Sequence, residues 1–193
     1  MKKKKFLIGT HNGGKFREIA HLLPKKYLKI SPASLKIKSP KETGKTFEAN
    51  SKLKANFFAR HVNFPVISDD SGLCIKALKN KPGIFSARLA KKHGSFLSAM
   101  KFILKCLKNK KDRSAFFVCS LTLKYPKKKQ ITATGKVFGK ISYNILGKKG
   151  FGYDPIFIPK FFDKTFGQIP KSKKIKMDHR YIAFKNLRKK IKI

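Results

Sequence analysis

Acid is what this chain of 193 residues has least of: nine Asp and Glu stand against 48 Lys and Arg, a formal net charge of +39. Arginine is scarce as well, supplying only six of those 48 cations. Basic proteins bind nucleic acid or other phosphate-rich partners. A chain selected to grip nucleic acid uses Arg heavily, because its planar fork matches phosphates and guanine edges. A charge made almost wholly of Lys, alongside abundant Phe and Ile, reads instead as the codon bias of an AT-rich genome spread over a solvated surface. It implies weak non-specific affinity for polyanions and no specific nucleic-acid partner. Cysteine is also sparse. Cys74, Cys106 and Cys119 are odd in number and widely spaced, form no zinc pattern, and read as buried free thiols in a reducing compartment, the cytoplasm. No apolar run approaches ~18 residues, so nothing is expected to span a membrane. The stretch Phe6 to Ile8 behind the basic start is too short for a signal peptide. Internal repeats and long linkers are missing too.

What remains is ample for a core. The chain is 41% apolar with 18 Phe, and its length suits a single catalytic domain over residues 1–193, with two lobes around a cleft. FLIGT (6–10) reads as a buried strand, followed by the Gly-rich turn HNGGK and a helix over 15–23 closed by Pro24. Residues 31–45 read as a loop, 46–62 as a helix, 65–69 and 73–77 as strands on either side of an acidic turn, and 95–108 as an amphipathic helix. Two alternating stretches, 114–125 and 130–141, form a hairpin or meander. GFGYDPIFIP (150–159) is a turn leading into a strand, and HRYIAFKNLRKKI ends the chain as a helix. The resulting fold class is α/β, a mixed central β-sheet with flanking helices.

Against this background the acids that do occur are informative. Asp69 and Asp70 stand side by side before Ser71-Gly72, where a shared cation or a role as base would offset their repulsion. GTHNGGKF (9–16) carries the spacing of a phosphate-binding loop, with Gly9, Gly14 and Lys15 in register. Phe16 replaces the hydroxyl that would hold magnesium, so the metal must find carboxylates elsewhere. In GFGYDP (150–155), Phe151 or Tyr153 offers a ring for stacking on a base and Asp154 a hydrogen-bond acceptor. Asp178-His179-Arg180 brings an acid, an imidazole and a guanidinium to a helix start, with Asp178 in an N-cap position.

Five stretches in this order resemble the inosine triphosphate pyrophosphatase family: THNGGKFREI, ETGKTFEANSKLKA, SDDSGL, PGIFSAR with GFGYDPIF, and HRYIA. The resemblance covers nearly the whole chain. It implies a cleft between two lobes, a homodimer, dependence on Mg²⁺, and hydrolysis of deaminated purine nucleoside triphosphates to the monophosphate and pyrophosphate. Carried over residue by residue, it puts the phosphate loop on Thr10, His11, Asn12, Gly13, Gly14 and Lys15. The metal-binding, water-activating acid falls on Asp70. Nucleotide contacts fall on Ser71, Phe151, Gly152, Tyr153 and Asp154, a substrate lysine on Lys174, and base recognition on His179 and Arg180. The chain departs from the family where two acids precede Thr-Gly: here they are Lys41 and Glu42, leaving Glu42 as that loop's one candidate metal ligand beside Asp70. Ala49 replaces the acid before the helix Asn, and Asp178 replaces the Ser before His-Arg.

The chemistry implied is attack of water at the α-phosphorus, a matter of positioning and electrostatics. Two other functions compete with it. One is a nucleic-acid-binding protein, which the charge favours but which leaves the five ordered stretches unexplained. The other is a related pyrophosphatase acting on modified pyrimidine nucleotides, against which GFGYDP and His179-Arg180 argue.

Overall fold

The computed structural model describes residues 4–191. Its strands are β1 (Lys5–Ile8), β2 (Leu28–Ile30), β3 (Val66–Ile75), β4 (Lys81–Pro82), β5 (Ser114–Lys124), β6 (Ile131–Ile141) and β7 (Phe157–Pro159). They form one sheet in the order β2-β1-β3-β5-β6-β7, with β4 added to β3. β1 runs parallel to both β2 and β3, whereas β3–β4 and β6–β7 are antiparallel, so the sheet is mixed as expected. The helices are α1 (Gly13–Leu22), α2 (Phe47–Ala59), α3 (Ser86–Lys92), α4 (Phe96–Cys106), α5 (Lys171–Lys174) and α6 (His179–Ile191).

Local chemistry sets the ends of these helices. Asn12 caps α1, its side-chain oxygen accepting the Lys15 N–H at 3.0 Å. Thr46 caps α2 and Ser95 caps α4 in the same manner, each taking the N–H three residues on. The helix expected over 15–23 therefore starts two residues earlier, at Gly13. Strand β2 and helix α3 lie in stretches without a periodic signal.

The main correction concerns the acid pair. β3 is a single uninterrupted strand of ten residues through Asp69-Asp70-Ser71-Gly72, with no turn between two strands. Gly72 serves close approach: a Cβ there would lie 2.2 Å from the Gly83 carbonyl oxygen and 2.5 Å from Ser86 Oγ.

The chain forms two compact units. One takes in the chain up to Asp70, Cys119–Gly135 and the chain from Arg180 onward; the other takes in Ser71–Val118 and Lys136–His179. In the first unit the two-residue period of the strands divides the core. Phe6, Ile8 and Ile67 face α1 and α6 through Ile19, Leu23, Ala183 and Leu187. Leu7 and Val66 face Phe58 of α2 on the opposite side. In the second unit Phe117, Phe157 and Phe166 pack ring against ring. None of the three cysteines forms a disulfide; Cys74 and Cys119 are buried, while Cys106 is half-buried. Among the described residues no helix is long and apolar enough to cross a membrane.

Candidate active site

The alternation of β3 answers why two rare acids are neighbours. Consecutive strand residues point to opposite faces, so Asp69 lies nearest Lys15 and Asp70 nearest Lys54, while the field of Lys54 reaches both acids. Asp69, fully buried, lies 3.2 Å from Lys15 Nζ of α1 and 3.6 Å from Arg180 Nη2 of α6. Arg180 in turn holds Glu18 Oε2 of α1 at 2.8 Å. Glu18, Arg180, Asp69 and Lys15 thus alternate in sign along one face of the strand.

On the other face Asp70 meets α2. Asn50 Nδ2 donates to Asp70 Oδ2 at 3.0 Å, and its Oδ1 accepts the Gly44 N–H at 2.8 Å. One amide therefore fixes both the acid and the loop that carries Glu42. Lys54, one turn further along α2, places Nζ 2.5 Å from Glu42 Oε1 and 3.9 Å from Asp70 Oδ1. Four of the nine acids of the chain, Glu18, Glu42, Asp69 and Asp70, thereby gather with Lys15, Lys54 and Arg180 in this unit.

These surroundings set the ionisation of the groups. Burial pushes the Asp70 carboxyl up to about 6, with Glu42 adding to the shift; Lys54, Lys15 and the Asn50 hydrogen bond oppose it. Burial alone would lower Lys54, yet the carboxylates of Asp69, Asp70 and Glu42 more than offset it and hold its ammonium above the usual range. A carboxyl that titrates near 6 is poised to align or deprotonate water close to neutral pH. In the preceding loop, Thr10 Oγ1 accepts the Asn12 N–H at 3.2 Å, and the exposed His11 ring meets Ser39 Oγ at 2.6 Å.

The remaining residues singled out by sequence fall in the second unit, apart from Arg180. The Gly150–Asp154 turn has glycines at φ 75° and 65°, at positions 150 and 152. Asp154 closes it by accepting the Phe151 N–H at 2.8 Å, and it also holds Lys174 Nζ at 2.7 Å. The same ammonium lies 5.0 Å over the half-buried Phe151 ring and 5.5 Å from Phe166. Tyr153 is buried; its hydroxyl donates to the Ser86 carbonyl at 2.8 Å and its ring meets Phe96 edge-on. Burial raises its phenol above the ordinary range. Ser86 donates to Gly83 and accepts from the Leu73 N–H, so PGIFSAR and GFGYDP are tied together. The His179 ring stacks on Phe117 at 4.8 Å and 11°. Ser71 is half-buried. The chain passes between the units four times, and two of these crossings, at the Asp70–Ser71 and His179–Arg180 bonds, fall within the residues singled out by sequence.

Sequence reasoning missed Asn50, Lys54 and Glu18. The first two share a helix face at i and i+4, a signal that was available. Glu18 meets Arg180 across 162 positions and left no such trace.

The Ham1 family model matches residues 6–190. A dITP/XTP pyrophosphatase of Dictyoglomus thermophilum is 40% identical over 195 residues, covering 97% of this chain and 94% of that protein. One of Bacillus subtilis is 40% identical over 190 residues and covered, like this chain, to 96%. The solved structure of the Staphylococcus aureus Ham1 protein matches with a TM-score of 0.86 at 36% identity over 98% of each chain. The resemblance read from the five stretches is borne out. With its sequence matched almost end to end and its fold shared with a solved member, this chain belongs to the Ham1 family.

Proposed function

We propose that this chain hydrolyses deaminated purine nucleoside triphosphates, dITP, ITP and XTP, to the nucleoside monophosphate and pyrophosphate. The observation that carries this reading is buried Asp70, held by Asn50 and Lys54 beside Glu42, in a family whose matched relatives are named dITP/XTP pyrophosphatases. Water attacks the α-phosphorus, the bond from that phosphorus to the bridging oxygen breaks, and pyrophosphate leaves. Asp70, ionised above about pH 6, aligns the water and draws off its proton. The triphosphate is assigned to Lys15, to Thr10–Gly14, and to the first-turn N–H groups of Gly13 and Gly14, which have no partner within α1.

Mg²⁺ belongs to this reading. Among the described residues no three His, Cys, Asp or Glu gather into a metal cluster. Magnesium held by one or two carboxylates plus substrate phosphates needs no such cluster, and Asp70 with Glu42 supplies that pair. When bound, the ion neutralises developing charge on the phosphates. Lys54 already holds both carboxylates together, so the pair is kept in place before substrate arrives.

Base selection is assigned to Arg180 and His179 as donors to the 6-keto oxygen of hypoxanthine or xanthine, with Phe151 as the stacking ring and Ser71, Gly152, Asp154 and Lys174 shaping the contacts. Tyr153 supports that loop from beneath. Adenine presents an amino donor at the same position, so it faces unmatched donors, and discrimination of up to ~10⁴ is open to such a site. On the family resemblance and the free thiols we place the enzyme in the cytoplasm as a homodimer. The test is turnover of ITP against ATP with Mg²⁺ and identification of the products. IMP with pyrophosphate, and little ATP hydrolysis, is expected; orthophosphate as the first product overturns the reading.

A further inference from the structure

The second unit carries an aromatic and basic face that the proposed reaction leaves unused. Strand β6 turns Lys136, Phe138 and Lys140 outward while Val137 and Ile141 enter the core. Phe138 is 55% exposed and lies 5.6 Å from Phe116 of β5, ring centre to ring centre. The Lys136 ammonium sits 5.5 Å over the Phe116 ring. Lys160 donates its N–H to the Phe138 carbonyl, and its ammonium lies 4.8 Å over the ring of Phe161, which is 90% exposed.

Beside Lys140 this face runs into a cavity of about 460 Å³ lined by Lys111, Asp112, Arg113, Lys140, Tyr143 and Ile158, among others, with three cations to one acid. Arg113 is 8% exposed and held by three carbonyls: Ile141 at 2.8 Å, Leu107 at 3.2 Å and Ser142 at 2.6 Å. Those bonds fix its plane without neutralising its charge, and among the described residues it makes no ion pair with a carboxylate. The Tyr143 ring, 78% exposed, lies 4.4 Å from the guanidinium.

We propose that this face is a stacking platform for single-stranded nucleic acid, bound without sequence preference. An exposed ring beside a cation is the unit that such a ligand matches, because a base offers a flat π-face and its phosphate an anion. A duplex hides its base faces. A second copy of a chain of net charge +39 brings further cations to a face already lined with Lys136, Lys140 and Lys160. The scarcity of Arg on the exposed strand fits the absence of base-edge readout. The platform is a second binding activity and does not depend on the proposed hydrolysis.

The experiment is fluorescence anisotropy of a labelled 15-nucleotide oligothymidylate with the full chain at ~50 mM salt. Phe138→Ala combined with Phe161→Ala should weaken binding about ten-fold or more. Lys136→Gln combined with Lys140→Gln should lower the slope of log affinity against log salt by about 1.4, two phosphate contacts on a single strand. ITP turnover should be unchanged in both. Four results overturn the proposal: no binding by the unaltered chain, wild-type affinity in the aromatic variant, equal affinity for a duplex of the same length, or a sedimentation result in which the alanine pair splits a dimer seated on this face.

Discussion

Asp70, the acid proposed to align the water, carries a cost in the folded protein. Its carboxyl titrates at about 6 when folded and near 3.8 in a model peptide. Between those values the folded state binds more protons than the unfolded one, so stability falls as pH rises through this window and stays lower above it. A shift of about two units corresponds to ~3 kcal/mol. In EDTA, Asp70→Asn should therefore raise stability by about 2 kcal/mol at pH 8, with the gain vanishing near pH 4, where wild-type Asp70 is already neutral. The same variant should lose nearly all turnover. Thermal melts at the two pH values check the first statement, and a variant less stable than wild type at pH 8 contradicts it. Lys54→Met removes the stronger of the two cations, Lys54 and Lys15, that oppose the shift. Its acid limb in kcat/KM should move up from about pH 6, with a loss of stability from leaving Glu42 and Asp70 uncompensated. An unmoved limb would detach Lys54 from Asp70.

At the scale of elements, β3 organises both faces of the first unit's site, and Gly72 lets it continue into the second unit. Gly72→Ala sets a methyl group 2.2 Å from the Gly83 carbonyl oxygen. It should cost about 3 kcal/mol, read as a lower midpoint in urea; a change within ~0.5 kcal/mol would mean that the Gly83 segment yields freely. This strand also marks where the sequence was misread. Asp-Ser-Gly has the composition of a turn, and only the neighbours brought by PGIFSAR show that Gly72 serves close approach. Elements with a strong period or a side-chain cap, α1, α2, α4, β5 and β6, were legible. The three-residue β2 and seven-residue α3 were too short to display one. Asp70, Lys15 and Arg180 were legible as site candidates because they sit in recognisable stretches, and the fold brings them into one charged cluster. Their partners were not, since Glu18–Arg180 and Asp70–Asn50 depend on how distant segments meet.

Across the whole molecule the charge is uneven in meaning. Among the described residues most Lys and Arg lie on the surface, while Lys15, Lys54, Lys174 and Arg180 are paired with acids at small exposure. Raising salt from ~50 to ~200 mM should weaken polyanion binding by orders of magnitude where many phosphates are contacted. Saturated ITP turnover should change by less than about two-fold, because enclosed pairs are screened far less. Parallel loss of both would mean that the surface lysines carry the catalysis.

The most direct test follows the oxygen of water. Hydrolysis of ITP in ¹⁸O-water, with the products resolved by mass, reports which phosphorus is attacked. Attack at the α-phosphorus, with Asp70 aligning the water, places one ¹⁸O in IMP and none in pyrophosphate, and Asp70→Asn suppresses the labelled product. Label in pyrophosphate or orthophosphate, or undiminished labelling of IMP by Asp70→Asn, contradicts it.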